Sequence, residues 1–464
     1  MGKLKELGYL DSEEKIKHSC GVFGISSSQE VYSLIYSGLY ALQHRGQEAA
    51  GMVTWDERQG KLSSIYGSGL IKDAFEPKKL SRLKGNVGMG HVRYSTAGSK
   101  GVKNVQPLKV SVHGKKVILA HNGEIANAPQ LRRSLKQRGI WPKSNSDSEV
   151  IALSLASLLL QTNDFGTSME QVMRQLRGAY SLIVFADGEL FAARDPHGIR
   201  PLCIGQTERS CVVASESVAL DILGAKLVRD VGEGEIIKIT PQKAETIARV
   251  KGSPSYCMFE YVYFARGDSF LQGKEVQAVR EEIGRSLARE HSVEADVVVP
   301  IPDSGRSHAL GYSRESGIPY QEGLMKNRYV PRTFIMPTQA KRKFGVRLKL
   351  NPVKGVIRGK RVVLVDDSIV RGTTIGWIVH MLKNEGAKEV HVRIATPPIR
   401  APCYFGINMK TKKQLAASKR SIEEIRLSTG ADSLGYSSID GLVKSIGLPK
   451  GSLCLGCLTG KYPT

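Results

Sequence analysis

The sequence predicts an α/β protein built of two units, on three observations. Short apolar strands separated by turns, with two helical stretches among them, run through residues 20–250. From residue 251 onward, buried-looking strands alternate with amphipathic helices, the pattern of a mainly parallel sheet flanked by helices. Between the two styles lies Lys251-Gly252-Ser253-Pro254, whose glycine and proline mark a break. A length of 464 residues supports the division, because single cores stop growing at roughly 250–300 residues. The units are therefore drawn as 1–19, 20–250 and 251–464.

Residues 1–19 are polar and charged and lack the apolar centre of a secretory signal; Asp11, Glu13 and Glu14 are out of place in a transit peptide. They read as a pro-segment that ends before Cys20-Gly21-Val22-Phe23-Gly24. Cleavage there frees an α-amino group with a pKa of roughly 7.7–8.0 beside a thiol at roughly 8.5. One residue then supplies both nucleophile and base. The plainer reading of Cys20 is a packed cysteine.

Apolar residues at helical spacing over 31–46 predict one helix, and those over 148–161 predict a second, opening after Ser144-Asn145-Ser146-Asp147. Strand-like runs fall at 85–95, 115–123, 180–187, 189–195, 211–217 and 235–240. The second unit reads as helix over 275–290, strand over 295–303, helix over 306–316, strand over 361–367, helix over 375–386 and strand over 388–397. The stretch 326–351 is rich in Lys and Arg with weak periodicity, and reads as a long loop.

The net charge of +23, from 67 Lys and Arg against 44 Asp and Glu, favours polyanionic ligands: nucleic acid, phosphorylated metabolites or an acidic partner. Aromatic residues are only 6% and do not interleave with basic ones as in RNA-binding surfaces. No apolar run approaches the roughly 18 residues of a membrane span. Seven scattered cysteines, an odd number, suit a reducing compartment better than a disulfide framework.

The strongest local pattern is 361–374. A buried strand ends in Asp366-Asp367, a turn of small and hydroxyl residues follows, and a helix begins. Ligands of open α/β sheets sit beyond the carboxyl ends of strands. Backbone N–H groups at such a turn cradle phosphate, Ser368, Thr373 and Thr374 add hydroxyls, and Gly372 admits a close approach. Two acids beside a phosphate repel it unless they bind sugar hydroxyls or Mg²⁺, and a diol-bearing sugar phosphate meets both needs. The duller alternative is an acidic strand end that caps the helix.

This stretch resembles the signature of type I phosphoribosyltransferases. The resemblance implies that Asp366 and Asp367 hold the ribose hydroxyls of phosphoribosyl pyrophosphate (PRPP), while Ser368, Arg371, Gly372, Thr373 and Thr374 hold its 5-phosphate. Residues 298–306 resemble the companion pyrophosphate loop, with Asp303, Ser304 and Gly305 meeting the diphosphate. Ser304, Asp366 and Asp367 are the expected neighbours of Mg²⁺. The basic stretch 326–351 resembles a loop that closes over PRPP and excludes water. Arg306 and His308 are bulkier and more polar than that family leads one to expect, which raises the prospect of altered diphosphate or feedback-nucleotide contacts. Gly267 stands where the family typically has proline.

In the first unit Cys20 to Gly24, LQHRGQEAAG (42–51), HVRYST (91–96), AHNGEIAN (120–127) and SNSDSE (144–149) together resemble an N-terminal-nucleophile (Ntn) glutaminase domain. That implies a four-layer αββα fold with Cys20 as nucleophile. Arg93 would bind the α-carboxylate of glutamine and Asp147 its α-amino group, with Asn122 and the backbone N–H of Gly123 as oxyanion hole. Taken singly each has another explanation: Asn122-Gly123 is a turn dipeptide, Arg93 a surface or ion-paired arginine, Asp147 a helix cap.

Cys454-x-x-Cys457 alone is ambiguous among zinc, iron–sulfur and redox roles. The two units together resemble the glutamine PRPP amidotransferase family, whose iron–sulfur subgroup carries a [4Fe–4S] cluster at the positions of Cys257, Cys403, Cys454 and Cys457, with zinc the main rival. Cys203 and Cys211 are expected in packed strands. The resemblance implies release of ammonia from glutamine and its transfer to C1 of PRPP–Mg²⁺. It further implies inhibition by purine nucleotides, a homotetramer, no nucleic-acid or membrane partner, and a cytoplasmic location (or a plastid stroma after loss of a transit peptide). The rival from another class is a PRPP-sensing, nucleic-acid-binding regulator with a phosphoribosyltransferase fold, which the positive charge also suits.

Overall fold

The computed structural model describes residues 20–94, 104–327, 329, 350–409 and 411–463. The expected pro-segment, the end of the 91–96 motif and nearly all of the basic 326–351 stretch lie outside them.

Two antiparallel sheets form the first unit. One has seven strands, in the order Lys226–Asp230, Cys203–Gln206, Ser210–Ala214, Gly21–Ser27, Val87–Arg93, Ala49–Asp56 and Lys61–Ser68. The other has six, in the order Ala244–Arg249, Glu235–Ile239, Glu189–Arg194, Gly178–Ala186, Lys115–Ile125 and Leu108–Val112. Side chains alternate faces along a strand, and the packing follows that period of two. Val22 meets Ile118, Ala120 and Ile183 between the sheets. Phe23 and Ile25 point the other way, onto Ile35 and Leu39 of the helix Tyr32–Ala41. On the second sheet Val117 and Leu119 pack outward against the helices Asp147–Thr162 and Phe165–Gln175. The layers are thus helix, sheet, sheet, helix. The sheets approach closely at Gly24, where a β-carbon would lie 2.9 Å from the Ile183 side chain.

The helix Asp147–Thr162 starts because the Ser146 hydroxyl accepts from the Ser148 N–H, and stops at Asn163, which takes φ of 50°. The structure adds elements the sequence pattern did not announce. Lys61–Ser68 and Ala244–Arg249 are half-exposed edge strands of mixed polarity and show no strong apolar run, while Ala49–Asp56 opens on the small residues Ala49, Ala50 and Gly51 ahead of Met52 and Val53. The helices Ala128–Gln137 and Phe165–Gln175 also emerge only in three dimensions.

The second unit centres on four parallel strands in the order Val297–Pro300, Arg361–Asp366, Glu389–Ile394 and Ser433–Tyr436. Val363 and Val365 pack with Leu287, Ala309 and Tyr312 of the helices Val276–Glu290 and Arg306–Ser316. Val362 and Leu364 face Ile375, Ile378 and Leu382 of the helix Thr373–Asn384 on the other side. A sheet buried on both faces explains the unbroken valine run.

The two units share a core: Ala179 and Ile199 of the first pack with Met258, Phe259 and Phe405 of the second. At that junction Tyr256–Cys257 pairs in parallel with Leu453–Cys454, and the short π-helical turn Glu260–Phe264 follows. Among the described residues no helix is long and apolar enough to cross a membrane.

Candidate active site

Cys20 opens the strand Gly21–Ser27, which is paired on both sides, with Ser210–Ala214 and with Val87–Arg93. Cys20, Val22 and, on the neighbour, Met89, His91 and Arg93 fall on the face toward the second sheet. The Cys20 sulfur sits at the backbone of Tyr94, 3.5 Å from its N–H and 3.7 Å from its carbonyl oxygen. Burial pushes the thiol pKa up; the Tyr94 N–H and the charges of Arg93 and Arg45 pull it back, and Asp147 opposes them. The sulfur therefore lies in the field of both Arg93 and Asp147.

Asp147 heads its helix. Its Oδ2 accepts from the Ile125 N–H at 3.1 Å and its Oδ1 from the Ser148 N–H at 2.8 Å. Ser146, rather than Asp147, is the cap. Asn122 and Gly123 lie inside the strand Lys115–Ile125, paired with Ser181 and Tyr180, so the turn alternative does not hold. Gly123 takes φ of 151°, and a β-carbon there would lie 1.9 Å from the Ala179 carbonyl oxygen. Asn122 is fully buried, and neither Oδ1 nor Nδ2 has a hydrogen-bond partner among the described residues. A buried amide left so is costly unless a guest completes it.

Behind Asn122 stands a polar network that the motifs alone did not reveal. The Gln106 amide oxygen accepts from the His121 N–H at 2.7 Å, and its Nε2 donates to Ser148 Oγ at 3.0 Å. His121 Nδ1 is 3.0 Å from the same hydroxyl. Burial lowers the pKa of His121 despite Asp147, and lowers that of His91 to about 3. Both rings are therefore neutral struts. The run 42–51 is also sharper in three dimensions: Arg45, quoted within it but given no task, donates from Nε to the Cys20 carbonyl at 3.1 Å.

In the second unit Asp366 and Asp367 stand at the carboxyl end of a central strand and are 5% and 3% exposed. The Asp367 carbonyl accepts from the Thr396 N–H at 2.9 Å, and its carboxylate from the Ser368 hydroxyl at 2.5 Å. Gly372, with φ of 89°, turns the chain into the helix Thr373–Asn384, and Arg420 donates to the Arg371 carbonyl at 3.2 Å. Asp303-Ser304-Gly305 reaches the same end: the Ile301 N–H donates to the Val365 carbonyl at 2.8 Å, and a β-carbon on Gly305 would lie 2.4 Å from that oxygen. Asp303 binds Arg306 at 2.7 Å and Lys326 at 2.6 Å. The two loops thus form one rim of acids, hydroxyls and N–H groups.

One expectation is corrected here. His308 does not face the pyrophosphate loop: it is fully buried between the carbonyls of Arg280, at 3.0 Å, and Val262, at 3.3 Å. Arg306 does stand at that loop, paired with its Asp303 at 2.7 Å and with Glu322 at 2.9 Å.

Cys257, Cys403, Cys454 and Cys457 are all buried at the unit junction, as are Cys203 and Cys211 within their strands. Cys257 is the register partner of Cys454. Burial raises the pKa of each of the four, that of Cys454 to about 11, and Cys457 is raised further by the other three. The Phe405 N–H points at the Cys403 sulfur at 3.3 Å. Among the described residues, no three His, Cys, Asp or Glu side chains are close enough together to hold one metal ion. The Cys403 segment also touches the first site: a β-carbon on Gly406 would lie 3.2 Å from the Gly123 carbonyl carbon.

Comparisons with known proteins agree with this geometry. A glutamine amidotransferase domain model matches residues 91–221, and a phosphoribosyl transferase domain model matches residues 269–404. The amidophosphoribosyltransferase of Methanothermobacter thermautotrophicus is 50% identical over 456 residues, 97% of this chain and 96% of the relative. That of Bacillus subtilis is 47% identical over 459 residues, 97% of this chain and 95% of the relative. The solved glutamine PRPP amidotransferase of B. subtilis, complexed with ADP and GMP, superposes with a TM-score of 0.89 at 46% identity, over 96% of this chain and 97% of that one. A structure described as the allosteric regulatory enzyme of purine biosynthesis gives 0.90 at 46% identity, over 96% of each.

Proposed function

The chain belongs to the amidophosphoribosyltransferase family, and from that premise we propose how its own residues divide the work. The family reaction releases ammonia from glutamine and installs it at C1 of PRPP, giving phosphoribosylamine, glutamate and pyrophosphate; it is the first step of purine biosynthesis. The regulator reading loses its footing, because the relatives are enzymes over nearly the full length.

At the first site the Cys20 thiolate attacks the side-chain amide of glutamine. The observation that carries this reading is the position of the sulfur in the field of both Arg93 and Asp147. Those are a cation for the α-carboxylate and an anion for the α-ammonium. The tetrahedral oxyanion would be met by Asn122 Nδ2, a buried donor with no other partner among the described residues, and by the Gly123 N–H. Because burial holds the thiol protonated, a base must stand beside it. Cleavage before Cys20, with residues 20–250 as the glutaminase, would free the α-amine for that task. The thioester is then hydrolysed to glutamate.

At the second site, within 251–464, Asp366 and Asp367 would bind the ribose hydroxyls. Ser368, Arg371, Gly372, Thr373 and Thr374 would hold the 5-phosphate, and Asp303, Ser304 and Gly305 the diphosphate. The donor set at this rim is oxygen-rich, with Asp366 and Asp367 buried and Ser304 half-buried, which suits Mg²⁺ near Ser304, Asp366 and Asp367. The ion would neutralise the departing pyrophosphate.

For the four junction cysteines we favour a [4Fe–4S] cluster over zinc. The preference rests on the family resemblance; all four are buried at one junction, Cys257 stands opposite Cys454, and an N–H directed at the Cys403 sulfur suits a thiolate ligand. Purine-nucleotide inhibition is supported by the ADP and GMP bound to the B. subtilis relative. A homotetramer in the cytoplasm completes the proposal by family resemblance.

A Cys20→Ala protein tests the scheme: it should lose synthesis from glutamine and keep synthesis from added ammonia. Continued glutamine use would overturn it.

A further inference from the structure

We propose that Glu260 is a positioning residue for the glutamine-cleaving step. From the transferase unit it fixes Arg45, and through Arg45 it fixes the backbone of Cys20. The inference rests on Cys20 being the nucleophile.

Arg45 lies in the first unit, just beyond the helix Tyr32–Ala41, and is 1% exposed. Its Nε donates to the Cys20 carbonyl oxygen at 3.1 Å. Its two terminal nitrogens form a fork on Glu260: Nη1 to Oε2 at 3.0 Å and Nη2 to Oε1 at 2.9 Å. That bidentate geometry fixes direction as well as distance. Nη1 also pairs with Glu216, which in turn accepts from the Ser269 hydroxyl at 2.7 Å and the Arg266 N–H at 2.9 Å. On its far side Glu260 accepts from Arg200 Nη1 at 3.1 Å, and Arg200 donates to the Phe405 carbonyl at 2.6 Å. Two guanidinium groups and two carboxylates thus balance one another in a buried patch that spans both units. Burial works against the charge on Arg45, and the Glu260 and Glu216 carboxylates override it.

Glu260 is itself held in place. It opens the π-helical turn Glu260–Phe264, whose backbone is clamped from the transferase helices. Arg280 donates to the carbonyls of Tyr261 and Ala265, each at 2.7 Å. His308, three residues beyond Gly305 of the pyrophosphate turn, stands 3.3 Å from the Val262 carbonyl. A chain of direct contacts therefore leads from the nucleophile's own carbonyl to the helix that begins at the pyrophosphate turn. Packing alone does not require a charged fork at this point, and replacing such a pair by apolar residues is often neutral. Its aim at the Cys20 carbonyl is what assigns it a part in the reaction, since a displacement of about 1 Å at a reacting group costs roughly a hundredfold in rate.

The experiment uses the full chain with Glu260→Gln, which keeps shape and removes charge, and Arg45→Lys, which keeps charge and removes the fork. In both, kcat for glutamine cleavage should fall by roughly a hundredfold, with KM for glutamine within about threefold. The rate of alkylation of Cys20 should fall in step, while synthesis from added ammonia stays within about threefold, as the sign of an intact fold. Glu260→Asp, which keeps the charge on a shorter arm, should recover part of the glutamine rate. It also replaces Glu260→Gln should that protein fail to fold, with the same readouts. Full glutamine turnover in Glu260→Gln, or equal losses with glutamine and ammonia, would overturn the inference. Glutamate release by Cys20→Ala would instead remove the reading beneath it.

Discussion

Gly311 rests directly on the backbone of Glu281: a β-carbon at Gly311 would lie 1.9 Å from the Glu281 carbonyl oxygen. The reciprocal contact is as tight, since a β-carbon on Gly284 would lie 2.0 Å from the His308 carbonyl oxygen. The helices Val276–Glu290 and Arg306–Ser316 are therefore in backbone contact, and the second of them starts at the pyrophosphate turn. Gly311→Ala should force them apart and cost about 1–3 kcal/mol, read as a lower melting temperature. The KM for PRPP should rise with it.

Asn122→Ala removes one of the two proposed oxyanion donors. Cleavage of glutamine should fall by about 10²–10³ in kcat. Steady-state glutaminase assays check this, with the ammonia-dependent rate as a control for folding. An unchanged kcat would remove Asn122 from the site.

Asp366→Asn or Asp367→Asn should weaken PRPP by about 1.5–3 kcal/mol, the worth of a charged hydrogen bond. Titration calorimetry measures it directly. Because both nitrogen donors meet the same acceptor, synthesis from glutamine and from ammonia should fall together.

Burial holds His91 at a pKa of about 3, against an ordinary value of 6.5. A lowered folded pKa means the unfolded chain takes the proton first. Stability from this residue is complete above about pH 6.5 and drains away as pH falls toward 3, at about 1.4 kcal/mol per unit. Between pH 6.5 and pH 5 His91 should account for a loss of about 2 kcal/mol. Denaturant titrations of the wild type and His91→Gln check the sign: the variant should show the shallower dependence.

The cluster proposal predicts a brown protein with about four irons and matching sulfide per chain. Cys457→Ser should lose the chromophore and most of the iron. A colourless protein with stoichiometric zinc would refute the cluster and keep the four cysteines as a metal site.

The sequence made the transferase half legible because a sheet buried on both faces leaves continuous apolar runs, such as Val297–Pro300 and Arg361–Asp366. Cys20, Arg93, Asn122, Asp147, Asp366 and Asp367 could be put forward from the sequence because the chemistry proposed for them needs particular residue types within short motifs. Glu260 was not: it looks like any glutamate in FEYVYF, and only the fold sets it against Arg45. Gln106, His121 and Ser148 were missed for the same reason, as their partners come from distant segments. The edge strands escaped because exposure on one or both faces erases the hydrophobic signal.

The strand Gly21–Ser27 is laced to Val87–Arg93 from its first residue and to Ser210–Ala214 from Phe23 onward. A slip by one position would turn every side chain to the opposite face, and two ladders forbid it. Maturation ahead of Cys20 would thus find the sulfur already aimed. Cutting one peptide bond would switch on the chemistry by unveiling a nitrogen atom, with no rearrangement of the scaffold to wait for.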